Sequence, residues 1–308
     1  FHLLDFRIEK KVVEENEWTN FYFENSSSLL KKGDPDLHKI AASIIIAAHT
    51  NPTLEILEKE SEVRENIDIL PSKGNLYRNQ NPDEIPYTHS SVYNKNEFFP
   101  GKLAEIGEPY VFRNFEGKAI TFYPFQYNPV TKQLKIYRRM LIRINKNEQT
   151  NAIPKTQKIS KSFHEIYQNH FLNYALKKYT PIEDQGNLLI ISHPDFVNAM
   201  QPFIEWKIQK GIPTTLITTN ETGSTYEQIK SFVSDYYYQN SITFLLLVGD
   251  YNFVAPYQLT SGYLTYDADP VYGHIDGNDS YAEIIVGRFS GNNEAEISTQ
   301  VERIIYYE

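Results

Sequence analysis

Thr243-Phe244-Leu245-Leu246-Leu247-Val248-Gly249-Asp250 is the stretch that decides the fold. Five consecutive apolar residues leave no polar face. A strand of that kind belongs in a parallel sheet covered on both sides. Working outward, the same half of the chain alternates strand and helix patterns. Residues 188–191 and 214–218 read as strands. Residues 194–210 read as an amphipathic helix stopped by Gly211, and Ser224 or Thr225 caps a helix running through Tyr238. Residues 284–286 form a further strand, and 293–307 a closing helix. Strands alternating with helices imply a parallel α/β sheet with right-handed crossovers. Asp250 then falls at the carboxyl end of a central strand, where open α/β sheets hold their ligands.

A second feature lies just downstream. Asp276-Gly277-Asn278-Asp279-Ser280-Tyr281-Ala282-Glu283 places three carboxylates within eight residues around a glycine. Carboxylate and carbonyl oxygens on a tight loop suit calcium. Asp-Gly-Asn-Asp is equally good turn chemistry, and the EF-hand spacing is not matched. Asp250 is open to the same two readings, as a metal or catalytic carboxylate or as the cap of a turn.

The 308 residues suffice for two domains, each with its own core. Charge divides them. From Tyr179 onward there are 17 acidic and 5 basic residues, against 22 and 25 before it. Two units of different role, attracted to one another, fit that split. No dense basic stripe is present, which argues against nucleic acid as a partner. No run approaches the roughly 18 apolar residues of a membrane span. There is no cysteine, so disulfides, zinc-thiolate sites and a cysteine nucleophile are excluded within these residues. Ser192-His193 and the histidines at 164 and 170 assemble no nucleophile triad, and no phosphate loop is present. The 23 tyrosines, clustered at 236–238 and 306–307, read as helix-face packing.

Residues 1–150 read mainly as β. Strands are expected at 111–115, 118–123 and 134–144, the last two joined as an antiparallel hairpin through the Asn-Pro turn at 127–132. Residues 71–101, rich in Pro, Asn, Gly and Ser, read as extended loop. Residues 145–158 read as a polar linker. A helix follows, capped by Ser160 or Ser162, with Phe163, Ile166, Tyr167, His170, Phe171 and Tyr174 on one face, ending near Lys177-Lys178-Tyr179-Thr180-Pro181.

Several stretches together resemble the gingipain family of cysteine endopeptidases in proenzyme form. In the second half these are Leu246–Asp250, Tyr272–Asp279, Val286–Ser290 and Trp206-Lys207 through Gly211. In the first half they are Ser72–Gly74, Arg78–Tyr87, Phe98–Gly101 and Gln126–Lys132. The resemblance is collinear in both halves and covers most of the chain from about residue 65. It implies a β-sandwich-like inhibitory propeptide over residues 1–150 and a linker and helix over 151–178. Residues 179–308 would then be the opening α/β subdomain of a caspase-like, mostly parallel catalytic domain, truncated before the family's catalytic His and Cys.

The resemblance also assigns residues. Cleavage would follow Lys178, ahead of Tyr179. Arg78 matches the propeptide side chain that fills the specificity pocket, a role that suits a guanidinium facing an acidic group. Calcium would be held by Asp279, Glu283 and the backbone carbonyls of Asp276 and Tyr281, with Asp250 contributing to another calcium. The implied whole is a secreted or cell-surface peptidase acting on protein and peptide substrates, with Arg or Lys preference, its propeptide bound to its own catalytic domain. The alternatives are a non-catalytic calcium-stabilised adhesin or binding module, and a sortase-like relative in bacterial protein secretion.

Overall fold

In the computed structural model, the described residues are 1–13, 15–47, 50–145, 159–174 and 185–308. They divide into two units, Phe1–Pro109 with Lys118–Ala152, and Tyr110–Gly117 with Ile153–Glu308.

The first unit is antiparallel. Its strands are β1 (Arg7–Val13), β2 (Asn16–Tyr22), β3 (Ser27–Ser28), β4 (His38–Ile46), β5 (Thr53–Arg64), β6 (Ala104–Phe112), β7 (Phe115–Phe122), β8 (Phe125–Asn128) and β9 (Gln133–Asn145). They form a β1–β2 ribbon, a four-stranded sheet ordered β3-β4-β7-β6 and a three-stranded sheet ordered β5-β9-β8. One apolar cluster joins Ile120 and Phe122 of β7 to Tyr137 and Met140 of β9, with Ile40 and Ile44 of β4 beside them. The core therefore draws on both larger sheets. A second cluster surrounds Phe21, Phe125, Tyr127, Leu134 and Ile136.

Two strand expectations change here. The arm that pairs with β9 through the Asn-Pro turn is β8, with Tyr127 opposite Leu134 and Phe125 opposite Ile136. Residues 118–123 go instead to the other sheet, in β7. Pro124 separates the two strands, and it has no N–H to continue a ladder. The stretch 111–115 is not one strand either. It reverses at Arg113, whose φ is +48°, so β6 and β7 flank a turn. Apolar alternation hides such a reversal, because a non-glycine residue in the left-handed region leaves no mark on hydrophobic pattern.

The second unit carries α1 (Lys161–His170), β10 (Leu188–Ser192), α2 (Val197–Gln209), β11 (Thr214–Thr218), α3 (Thr219–Thr222), α4 (Tyr226–Asn240), β12 (Phe244–Val248), a small β13–β14 hairpin (Gln258–Ser261, Leu264–Asp267), β15 (Ile285–Phe289) and α5 (Glu294–Tyr307). The helix expected to reach residue 177 stops at His170, where Phe171 turns to extended backbone (φ −107°, ψ 121°) and Tyr174 closes a turn.

The sheet runs β11-β10-β12-β15, all parallel. Successive side chains of a strand face opposite ways. Leu189, Ile191, Leu245 and Leu247 meet Ile229, Val233 and Tyr237 of α4 on one side. Leu188, Ile190, Leu246 and Val248 meet Ala199, Met200 and Phe203 of α2, with Ile297 and Val301 of α5, on the other. This two-sided burial is why β12 has no polar face.

Leu247→Ala, in the fully buried centre of β12, should destabilise the chain by about 3 kcal/mol in urea denaturation. Leu259→Ala, half exposed on β13, should change it by less than about 0.5 kcal/mol. Equal midpoints for the two variants would contradict the two-sided core.

Candidate functional site

β12 is followed by Gly249, at φ +122°, and the loops beyond the carboxyl end of the sheet are tied together by one arginine. Arg288 of β15 grips both oxygens of Asp269 at 2.7 Å. It also donates to the carbonyls of Gly249 (2.7 Å) and Val254 (2.9 Å). A planar fork can hold a carboxylate and two carbonyls at once, which a lysine could not. Asp250 lies at this strand end. Its Oδ1 accepts from Ser290 Oγ at 2.9 Å, and that hydrogen bond, foremost, lowers its pKa.

Asp269–Gly273 is a short 3₁₀ turn that leads into the acidic loop. The loop returns on itself so closely that Glu283 N donates to Gly273 O at 2.8 Å. A Cβ at position 273 would stand 2.4 Å from Ile284 O, so this crossing requires glycine. Gly277, at φ +78°, makes the bend.

The carboxylates serve the loop's own backbone. Asp279 Oδ1 accepts from Tyr281 N at 2.8 Å. Glu283 Oε2 accepts from Ile275 N at 2.7 Å and Asp276 N at 3.0 Å. Asp276 Oδ1 accepts from Tyr238 Oη at 2.9 Å. Glu283 is fully buried; burial pushes its pKa up, against the pull of those amides.

Two cations complete the arrangement, and neither was singled out from sequence. Lys230 of α4 donates to the carbonyls of Val271 (3.0 Å), Tyr272 (3.1 Å) and His274 (2.6 Å), which fixes the turn before the loop. Burial lowers its pKa to about 8, with Glu283 opposing the shift. Arg113, 1% exposed, comes from the tip Tyr110–Gly117. Its guanidinium donates to Ile242 O (2.8 Å), Ser241 O (3.0 Å) and Glu283 O. Burial lowers its pKa too. The tip's backbone adds Val111 N to Asp279 Oδ2 at 2.8 Å and Arg113 N to Glu283 Oε1 at 3.2 Å. The one signal available for Arg113 was the turn-forming Arg-Asn pair inside an apolar stretch. For Arg288 it was a charge within an otherwise apolar strand. Lys230 gave none.

The structure thus brings Asp276, Asp279, Tyr281 and Glu283 into one loop and places Asp250 at the neighbouring strand end. Among the described residues, no group of three or more His, Asp or Glu side chains converges as a metal-binding set. The donor chemistry still fits a hard cation. Asp279 Oδ1 and Oδ2 and Glu283 Oε1 each accept one amide among these bonds, and a carboxylate oxygen can accept more than one partner. Carbonyls of the same loop supply further oxygens.

Arg78 is exposed in the first unit. Its turn is closed by Gln80 N to Tyr77 O (3.0 Å) and Tyr77 N to Gln80 Oε1 (2.8 Å). Asn81 caps the next turn through Asp83 N at 3.1 Å. Lys178 and Tyr179 lie outside the described residues. The histidines do structural work: His170 Nε2 bonds Tyr110 Oη at 2.8 Å, and His164 Nδ1 bonds Tyr174 Oη at 2.8 Å.

Residues 7–180 match the C25 propeptide model, and residues 182–308 match the model of peptidase family C25. The chain belongs to peptidase family C25, the gingipains. Gingipain R2 of Porphyromonas gingivalis (strain W83) is 33% identical over 296 residues, 93% of this chain and 40% of the relative. Gingipain R1 of the same species is 34% identical over 91% of this chain and 29% of its own length. A Lys-gingipain is 22% identical over 90% of this chain. The chain therefore spans less than half the length of these gingipains. Among solved structures, the complex of the pro- and mature domains of RgpB from P. gingivalis matches at TM-score 0.50 and 28% identity. That match covers 56% of this chain and 90% of the other.

Lys230→Met removes the donor to the carbonyls of Val271, Tyr272 and His274 and should lower the melting temperature at pH 7. Its pH dependence has a defined sign. The folded ammonium deprotonates near pH 8, the unfolded one near the ordinary lysine value of about 10.4. Between these the unfolded chain holds more protons, so this group makes stability rise with pH. Melting curves of wild type and Lys230→Met should diverge in slope across that window; parallel slopes would exclude Lys230 as the titrating group.

Proposed function

We propose that this chain is the latency-conferring propeptide and the first part of the catalytic domain of a secreted or cell-surface, Arg-directed cysteine endopeptidase. One observation carries the reading: a propeptide model and a peptidase model of the same family match in tandem over residues 7–180 and 182–308. The two larger sheets of the first unit, which share an apolar cluster, support a β-sandwich-like propeptide. The four parallel strands between helices support a caspase-like half-domain. Identity is higher to gingipain R2 and R1, at 33% and 34%, than to Lys-gingipain, at 22%. That favours arginine over lysine at the cleaved position.

Peptide hydrolysis in such an enzyme proceeds by thiolate attack on the scissile carbonyl and an acyl-enzyme intermediate. None of the 308 residues is cysteine, so the nucleophile is not among them. What these residues contribute is scaffold. Arg288 holds the strand-end loops together, and Lys230 fixes the turn that enters the acidic loop. Calcium is the proposed cofactor, held by Asp279, Glu283 and the carbonyls of Asp276 and Tyr281, with Asp250 contributing to another site. Bound there, it would supply positive charge that fixes the loop. In this reading Lys178-Tyr179 is the maturation junction. Arg78, exposed on its braced turn, occupies the specificity pocket of the catalytic domain. No observation favours the adhesin or the sortase-like alternative.

In the complete precursor, Arg78→Ala should raise the residual activity on an arginyl peptide substrate by about 10- to 100-fold. Unchanged inhibition would remove Arg78 from latency. Calcium at 100 times its dissociation constant should stabilise the chain by about 2.7 kcal/mol. Asp279→Asn with Glu283→Gln should abolish that increment in thermal unfolding with and without chelator.

A further inference from the structure

The second unit is not built from contiguous sequence. Ile153–Glu308 is completed by eight residues, Tyr110–Gly117, that arrive from the first half. Their contacts fall in two groups. Against residues 161–174, the ring of Phe112 lies edge-on to Tyr167 at 5.4 Å and packs near Phe163 at 6.1 Å. Tyr167 Oη donates to Asn114 Oδ1 at 2.9 Å. Against residues beyond 185, Tyr110 stacks on Tyr281 at 3.9 Å between ring centroids and 15° between planes. Val111 N and Arg113 N donate to the carboxylates of Asp279 and Glu283. The Arg113 guanidinium donates to three carbonyls, at 241, 242 and 283, and packs over the faces of Phe163 (4.6 Å) and Tyr237 (5.4 Å).

Buried arginine is rare unless its donors are met; here three carbonyls take the terminal nitrogens and two ring faces flank the guanidinium, while Nε has no hydrogen-bond partner among the described residues. Removing the side chain would leave carbonyls in a dry site without donors, which is costly. The reverse turn at Arg113, with φ +48°, presents this side chain and its own amide to residues 241–242 and 283 together.

We propose that Tyr110–Gly117 is a complementing segment locked by Arg113, and that it holds the first half of the sequence to the second after the chain is cut between them. The partner surface is the acceptor cup formed by the Ser241, Ile242 and Glu283 carbonyls and the Asp279 and Glu283 carboxylates. This rests on the reading that the chain is processed into two pieces. It assigns affinity to the tip and leaves pocket blocking to Arg78, so the two functions separate by mutation.

The test uses the complete precursor with a site-specific protease sequence placed at the Lys178–Tyr179 bond. After cutting, association of the pieces is measured by analytical size exclusion and by dilution. Wild-type pieces should stay together. Arg113→Ala should raise their dissociation constant by about 30-fold or more. Arg113→Lys, which keeps charge and loses the fork, should fall between the two. Arg78→Ala should leave association unchanged while releasing activity. Wild-type pieces that separate on cutting, or Arg113→Ala pieces that associate as tightly as wild type, would overturn the proposal. Should the Arg113→Ala chain fail to fold before cutting, Tyr110→Leu supplies the second measurement. It removes the stack on Tyr281 and should weaken association by about 10-fold; wild-type affinity in that variant would overturn the proposal equally. If Arg78→Ala leaves inhibition intact while Arg113→Ala frees the pieces, the pocket reading fails and the anchor stands.

Discussion

The carboxylate of Glu283 has no access to solvent, and the second unit is arranged around that fact. An ionised carboxylate in a dry site is stable only if its lone pairs are met. Three backbone amides meet them: Ile275 and Asp276 from the loop, and Arg113 from the hairpin tip. Burial pulls toward the protonated acid and the amides toward the anion. The bend at Gly277 and the crossing at Gly273 give the loop a shape in which its own N–H groups reach that carboxylate.

The surrounding cations act largely through carbonyls, to which Arg288 adds an ion pair with Asp269. Lys230 and Arg113 each bond three backbone carbonyls, and Arg288 bonds two besides its aspartate. Carbonyls at loop turns have no ladder partner, so a buried donor with several N–H groups fixes several turns at once. The same oxygen-rich surroundings make the acidic loop a reasonable host for a hard cation. Loop rigidity and the cation affinity proposed for the loop rest on the same oriented oxygens.

The second unit was largely legible in the sequence, for a physical reason. Strands buried on both faces must be apolar throughout, and the helices covering them must carry a stripe. Residues 188–191 and 244–248 show that pattern, and the structure places strands there, with the threonine-rich 214–218 as a less buried edge strand. In the first unit, pattern located strands but mispaired them. Pairing depends on which sheet a strand joins after a break, and Pro124 turns the chain from β7 in one sheet to β8 in the other. Alternation over 111–115 also concealed a reversal, because hydrophobic period reports the face of a side chain and not the sign of φ.

The sequence alone determined the order of classes, β first and parallel α/β second, and the cluster of carboxylates at 276, 279 and 283. It also carried the family, through short collinear matches. Only the tertiary structure decided that Tyr110–Gly117 belongs with the second unit, and that Arg113, Lys230 and Arg288 hold its loops. Those roles depend on backbone carbonyls, which every residue possesses and no residue type reveals. The sequence could therefore name the acids of the loop but not the donors that satisfy it.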